Sequence, residues 1–98
     1  MKAGGKLGTT QSTIYTANRK MAVSIFLVNT ASIDSGIVAN VVLYMGDGTN
    51  WYEFFKAPIN PSSTVQLTGI ALDANDSIAG VCDIANTVSV VITGMEAM

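Results

Sequence analysis

Apolar and polar residues alternate along most of this chain with the period of two that is typical of β-strands. The clearest example is the segment 21–29, in which Val23, Ile25 and Leu27 share one face. The residues between them, including Phe26 and Val28, are also largely apolar. Because a strand with only one buried face alternates more strictly, this segment predicts a central strand that is covered on both sides.

The same alternation returns several times between residues that form turns. Further strands are predicted at 12–17, 36–45, 51–57, 62–67, 78–83 and 87–96. The Asp47-Gly48 pair predicts a hairpin connection, and Pro58 and Pro61 bracket another turn. Strands at roughly ten-residue spacing predict an all-β protein, a single antiparallel β-sandwich of jelly-roll or Ig-like type with about seven to eight strands.

The first eleven residues differ from the rest of the chain because glycine and polar residues dominate them. Such a composition buries little surface, so we interpret 1–11 as a flexible N-terminal arm and 12–98 as the β-sandwich domain. Two roles stay open for the arm: a frayed terminus, or an extended strap on a neighbouring subunit.

The composition agrees with an all-β domain and excludes several kinds of catalytic and metal site. Val and Ile number 19 against 5 Leu, and branched side chains favour strands. A chain of 98 residues with no His and one Cys cannot assemble a catalytic triad or a zinc site alone. Its seven acids show no spacing typical of acid-base catalysis, so we expect a protein that is not an enzyme and has no cofactor.

The low content of charged residues indicates which kinds of partner the protein can bind. Charged residues make up 12% of the chain, while Ser, Thr and Asn together number 25. A surface of hydroxyls and amides is easier to desolvate than one of ions, which suits close packing in an assembly. The isoelectric point near 4.6 argues against nucleic acid, and the longest apolar run is too short to span a membrane. The N-terminus lacks the apolar segment of a secretory signal, so we expect synthesis in the cytoplasm.

Two smaller features have structural and chemical interpretations. Cys82 lies in a strand pattern, which favours a small buried side chain over a reactive thiol. Asp73, Asn75 and Asp76 could offer oxygen ligands to a hard cation, but a corner that hydrogen-bonds its own backbone is the favoured interpretation, and no metal is expected.

The order of these elements from Thr9 onward resembles that of small β-sandwich proteins of tailed bacteriophage particles. The matching segments are 10–15, the strand ending at Asn29-Thr30, the strand ending at Gly46-Asp47-Gly48, the turn 58–63, the corner 72–78 and the Val-rich strand ending at 93–96. In that family the corner reads leucine, acidic, any residue, glycine, aspartate. Here it reads Leu72, Asp73, Ala74, Asn75, Asp76, and Asn is the residue that best replaces Gly in a left-handed backbone.

The resemblance implies a non-enzymatic virion protein of the capsid decoration, spike-base or fibre-associated type. Its implied partners are further copies of itself, with a trimer preferred, and other virion proteins such as the major capsid protein. Candidate interface residues are apolar or aromatic: Leu7, Phe26, Val28, Tyr44, Trp51, Tyr52 and Phe54.

An alternative function follows from the aromatic residues near one predicted hairpin. A flat aromatic platform is what a carbohydrate-binding β-sandwich uses to stack sugar rings. Strict alternation sends the rings of 51–55 to both faces, with two aromatic residues and one charged residue on each in 51–56, so core or interface filling is favoured over a platform. Trp51 follows the Asp47-Gly48 turn and therefore lies near the end of the hairpin, where its ring can cap the core or face a partner. The position of this ring distinguishes between the two roles.

Overall fold

The computed structural model of the chain describes residues 2–96 and the side chains of residues 4–94. Eight antiparallel strands form two four-stranded sheets. The strands are β1 (Lys2–Lys6), β2 (Ser12–Thr16), β3 (Met21–Asn29), β4 (Ala39–Gly46), β5 (Trp51–Ile59), β6 (Thr64–Leu72), β7 (Ser77–Cys82) and β8 (Val88–Glu96), and a short 3-10 helix spans Ile33–Ser35. The predicted all-β antiparallel sandwich is confirmed.

The strand order distinguishes between the two predicted sandwich types. Sheet I has the order β1-β8-β3-β6, and sheet II has the order β2-β7-β4-β5. Each connection crosses from one sheet to the other except the β4–β5 hairpin. An Ig-type sandwich keeps several consecutive strands side by side, whereas this order is that of an eight-stranded jelly roll.

The core lies between the sheets and follows the predicted alternation. In β3 the buried positions are Met21, Val23, Ile25, Leu27 and Asn29, while the intervening residues are exposed or half-buried. The inward faces of the other strands are similarly apolar; they include Val41, Leu43, Ile59, Leu72, Ile78, Val88, Val90 and Ile92. β3 lies between β8 and β6, which confirms its central position.

The N-terminal segment differs from the predicted arm. Residues 2–6 form edge strand β1, with Gly4 opposite Val91, and Leu7 is buried in the core. A Cβ atom on Gly4 would lie 2.6 Å from the carbonyl oxygen of Val90, so glycine permits this close pairing. An edge strand needs main-chain hydrogen bonds rather than large side chains, and composition alone does not reveal these. Met1 lies outside the described residues.

A β-bulge changes the predicted faces of β5. The register with β4 shifts between the Leu43–Phe55 and Tyr44–Glu53 pairs, which leaves Phe54 as an extra residue. Phe54 and Phe55 therefore both pack against the core, and the expectation of two aromatic residues and one charged residue on each face is wrong. β5 also continues through Pro58, which an edge strand tolerates because one side of its backbone needs no partner.

Candidate functional surfaces

The outward face of sheet I is free of charge over its described residues in β8, β3 and β6. In the two inner strands it consists of Ala22, Ser24, Phe26 and Val28 from β3 and Ser89, Val91 and Thr93 from β8. β6 adds Thr64, Gln66 and Ala71. Hydroxyl, amide, aliphatic and aromatic groups thus cover these three strands. Edge strand β1 adds one exposed charge to the same face, because Lys6 lies opposite Ser89.

The largest apolar side chains of this face lie together near its middle. Phe26 is opposite Val91 on one side and Gln66 on the other, and Val28 follows two residues later. Val91 is 37% exposed, and both Phe26 and Val28 are half-buried. Next to them is a shallow depression of about 370 Å³ whose lining includes Ser24, Gly69 and Thr93.

The outward face of sheet II has a different chemistry. The bulge in β5 places Glu53 opposite Tyr44 and Lys56 opposite Val42, so two exposed charged residues lie on this side. Trp51 lies on the same side, at the hairpin end of β5 and opposite Gly46. This face therefore combines one exposed aromatic ring with charged neighbours.

The Trp51 ring lies flat against the backbone of Gly46. A Cβ atom on Gly46 would be 2.7, 2.8 and 3.0 Å from Cζ3, Cε3 and Cη2 of the indole. These similar distances mean that the Cβ would approach the ring face, because an edge-on approach brings one atom much closer than its neighbours. Trp51 is 45% exposed, so its core interpretation is wrong, and one ring face is left toward solvent.

The turn beside Trp51 is held by a single carboxylate. Asp47 accepts hydrogen bonds from the backbone N–H groups of Asn50 at 2.8 Å and Thr49 at 2.9 Å. These two bonds, Asn50 first, lower the pKa of Asp47 below its usual value. Between this turn and Trp51 is a notch of about 100 Å³ whose lining includes Ser77.

A second carboxylate joins the ends of β4 and β7. Asp83 accepts hydrogen bonds from the Asn40 side chain at 2.7 Å and from the Asn40 backbone at 2.9 Å. Both bonds favour the ionised form and lower the pKa of Asp83. The adjacent Cys82 is buried, as predicted, and this burial raises the pKa of its thiol. Burial and a raised pKa both make a thiol less reactive.

The acidic corner hydrogen-bonds its own backbone. The Asp76 carboxylate accepts a hydrogen bond from the Asp73 backbone N–H at 2.8 Å. Asn75 has a φ of 74°, the left-handed conformation that its substitution for glycine suggested. The carboxylate thus fixes the turn between β6 and β7, in agreement with the favoured interpretation.

A buried amide at the opposite end of the sandwich was not singled out from the sequence. Asn29 is fully buried, and its Nδ2 donates to the carbonyl oxygens of Ile37 at 3.0 Å and Ile59 at 2.9 Å. Its Oδ1 accepts from the backbone N–H of Ala31 at 3.0 Å. The inward position of an Asn in an otherwise apolar alternation is the signal that could have revealed it.

The loop that Asn29 holds exposes three aliphatic side chains. Ile33, Ile37 and Val38 are 74%, 38% and 39% exposed. The predicted strand 36–45 starts too early, because the pairing of β4 with β5 begins at Ala39 and Ile59, and Ile37 and Val38 therefore belong to the loop. An exposed apolar loop on a fixed frame is a candidate contact for another protein.

The seven candidate interface residues are distributed over different parts of the molecule. Leu7 is 1% exposed, so it belongs to the core and is unavailable to a partner. Phe26 and Val28 lie on sheet I, Tyr44 and Trp51 lie on the outward face of sheet II, Tyr52 is 55% exposed at the hairpin, and Phe54 packs against the core. Phe26 and Val28 are therefore the only two of these candidates on the outward face of sheet I.

No protein-family model matches the chain, and no curated protein matches its sequence. Within residues 2–96, no helix is long and apolar enough to cross a membrane.

Proposed function

We propose that the protein is a non-enzymatic structural component of a bacteriophage particle. In this role it is a capsid decoration or head-spike-base protein that self-associates and binds the capsid surface. The observation that carries the proposal is the outward face of sheet I, which is uncharged over its described residues in β8, β3 and β6 and has Phe26, Val28 and Val91 near its centre.

Physical chemistry supports the use of this face as a contact. Interface centres are poor in charged residues, and the core of a contact is more apolar than the surrounding surface. Covering the centre of this face with a second copy desolvates hydroxyls and apolar groups rather than ions, which costs much less. A closed assembly leaves no such face open, and the resemblance to phage particle proteins makes a trimer the preferred one.

Two further features agree with the proposal. Jelly rolls form the domains of many viral capsid proteins, although the fold also occurs in lectins and cupins. The described carboxylates with lowered pKa values, Asp47 and Asp83, hold turns and strand ends together. These roles are structural.

Static light scattering of the purified protein tests self-association, and sedimentation with particles tests attachment. We expect a closed oligomer, and we expect the chain to co-purify with particles at a fixed stoichiometry. A monomer at micromolar concentrations that does not sediment with particles would refute the proposal.

A further inference from the structure

The hairpin end of sheet II is exposed and does not take part in the contact proposed for the outward face of sheet I. Its central element is the Trp51 ring, which lies flat on Gly46 with its other face toward solvent. A ring held in this way loses little conformational freedom when a ligand stacks on it. This is a property of a binding platform rather than of a core residue.

The surroundings of the ring indicate the chemistry of the ligand. The notch beside it is lined by Gly46, Gly48, Thr49, Asn50, Trp51 and Ser77. Thr49, Asn50 and Ser77 are thus polar residues next to an aromatic surface, and the Ser77 hydroxyl also shares a hydrogen bond of 2.8 Å with the Thr16 hydroxyl. Hydroxyls and amides both donate and accept hydrogen bonds, which matches a ligand that also carries hydroxyls.

We propose that Trp51 and this notch form a binding site for a neutral sugar ring, in which the apolar C–H face of a pyranose stacks on the indole. The notch of about 100 Å³ takes an edge of the sugar, one or two hydroxyl groups, while the ring itself rests on Trp51. The proposal does not depend on self-association, because Trp51 and Val91 lie on different sheets.

Charge decides against an acidic sugar. Asp47, whose carboxylate is ionised and held by the turn, lies between Gly46 and Gly48 of the notch lining. Glu53 lies two residues beyond Trp51 on the same outward face. Two carboxylates near the platform repel an anionic ligand. Neutral pyranosides are therefore expected to bind more tightly than sialosides.

The experiment uses the single tryptophan of the chain as its own probe. Trp51 emission is recorded while methyl β-glucoside, methyl β-galactoside, N-acetylglucosamine or methyl sialoside is added, and light scattering is recorded in parallel. We expect a saturable change in emission with at least one neutral sugar, a weaker response to the sialoside, and no change in molecular mass.

Gly46→Ala is the sharpest variant. The φ of Gly46 lies outside the left-handed region, and the three atoms nearest to the new methyl group all belong to the Trp51 ring, so the methyl group displaces the ring. The variant is expected to fold, to show altered Trp51 emission and to bind the sugar about tenfold more weakly or worse. Ile33→Ala is the control, because it removes an exposed side chain from the loop at the opposite end of the sandwich and is expected to bind normally.

Several outcomes would overturn the proposal. Trp51→Ala lacks the fluorescent probe, so its sugar binding is measured by saturation-transfer NMR with the same sugars. Undiminished saturation transfer in this variant would contradict the proposed sugar site. An absence of saturable change with each neutral sugar up to its solubility would also contradict it. A concentration-dependent emission change without sugar would assign the ring to self-association, and a response to a proline-rich peptide alone would assign it to peptides.

Discussion

The two sheets bury similar side chains but present different outward faces. Inward, β3 of sheet I and β4 of sheet II both place aliphatic residues such as Leu27 and Leu43 in one core. Outward, edge strand β5 of sheet II carries Glu53, Lys56 and the exposed Trp51 ring. Sheet I has Phe26 and Val91 at the centre of its outward face, and the described charge on that face is Lys6 on edge strand β1. A sandwich needs an apolar inner face for stability. A difference between the outward faces therefore indicates which surface contacts a partner, and it has little bearing on folding.

The largest effect is expected from comparing the two sides of β3 itself. Leu27→Ala removes a fully buried side chain and should lower the unfolding free energy by about 3 kcal/mol. Phe26→Ala, one residue away and half-buried on the outward face, should cost about 1 kcal/mol in dilute solution. Urea denaturation measures both. Equal costs would mean that the outward face of sheet I is part of the folding core.

Asn29 tests how the two sheets are joined at one end. Its side chain lies on β3 of sheet I and donates to Ile59 of β5 in sheet II. Asn29→Ala leaves two carbonyl oxygens and one N–H without their partner, so we expect a loss of about 2 kcal/mol. Thermal denaturation provides the measurement. Stability equal to that of the unaltered protein would show that water replaces the amide at no cost.

Asn29→Asp serves as the companion variant. It retains the acceptor for Ala31 but turns a second oxygen toward the carbonyl groups of Ile37 and Ile59. Burial next to these oxygens raises the pKa of the new carboxyl in the folded state. Relative to the unaltered protein, the variant should regain stability as the pH falls through that raised pKa, since the protonated acid can donate one hydrogen bond.

Trp51 tests the outward face of sheet II. Because its ring is 45% exposed, Trp51→Ala should lower the unfolding free energy by about 1 kcal/mol, the value for a partly buried ring rather than for a core residue. Chemical denaturation followed by circular dichroism avoids dependence on the lost fluorophore. A loss of several kcal/mol would restore the core interpretation that the geometry rejects.

The smallest effect concerns acid stability at the joint between β4 and β7. Because the folded state lowers the pKa of Asp83 from its ordinary 3.8, the associated stability is present above pH 3.8 and is lost as the pH falls through the lower folded value. Asp83→Asn should therefore flatten this part of the acid unfolding profile. Melting temperatures between pH 2 and pH 6 measure it. An unchanged profile would show that exposure to solvent cancels the contribution of Asn40.

The periodic parts of the fold could be predicted from sequence, and its exceptions could not. The segment 21–29 is confirmed as strand β3, because its alternation of apolar residues directly reflects the core. β1 was missed because main-chain pairing of small residues leaves no hydrophobic signal. The bulge at Phe54 was missed because an extra residue is fixed by the partner strand, which a single segment does not reveal.

The candidate surfaces were likewise predictable only where they depend on the alternation within one strand. That Phe26 and Val28 face outward could be predicted from the alternation in β3, whereas their alignment with Val91 depends on which strands become neighbours. Crossing connections decide these neighbours, and they are a property of the whole chain. The position of the Trp51 ring on Gly46 likewise requires the paired hairpin.

If the outward face of sheet I is covered in the working form of the protein, a charge at its centre should prevent assembly. Val91→Glu introduces a charge at the centre of that face, and Val81→Glu introduces the same charge on the outward face of β7 in sheet II. Both valines lie on inner strands of their sheets, so the second variant is a matched control. Circular dichroism establishes that both variants fold.

Molecular mass by light scattering is then the deciding measurement, on the unaltered protein and both variants at the same micromolar concentration. We predict an oligomer for the unaltered protein and for Val81→Glu, and a folded monomer for Val91→Glu, because removing a carboxylate from water costs more than the contact returns. An unaltered protein that is a monomer, or a Val91→Glu variant that remains an oligomer, would contradict this prediction.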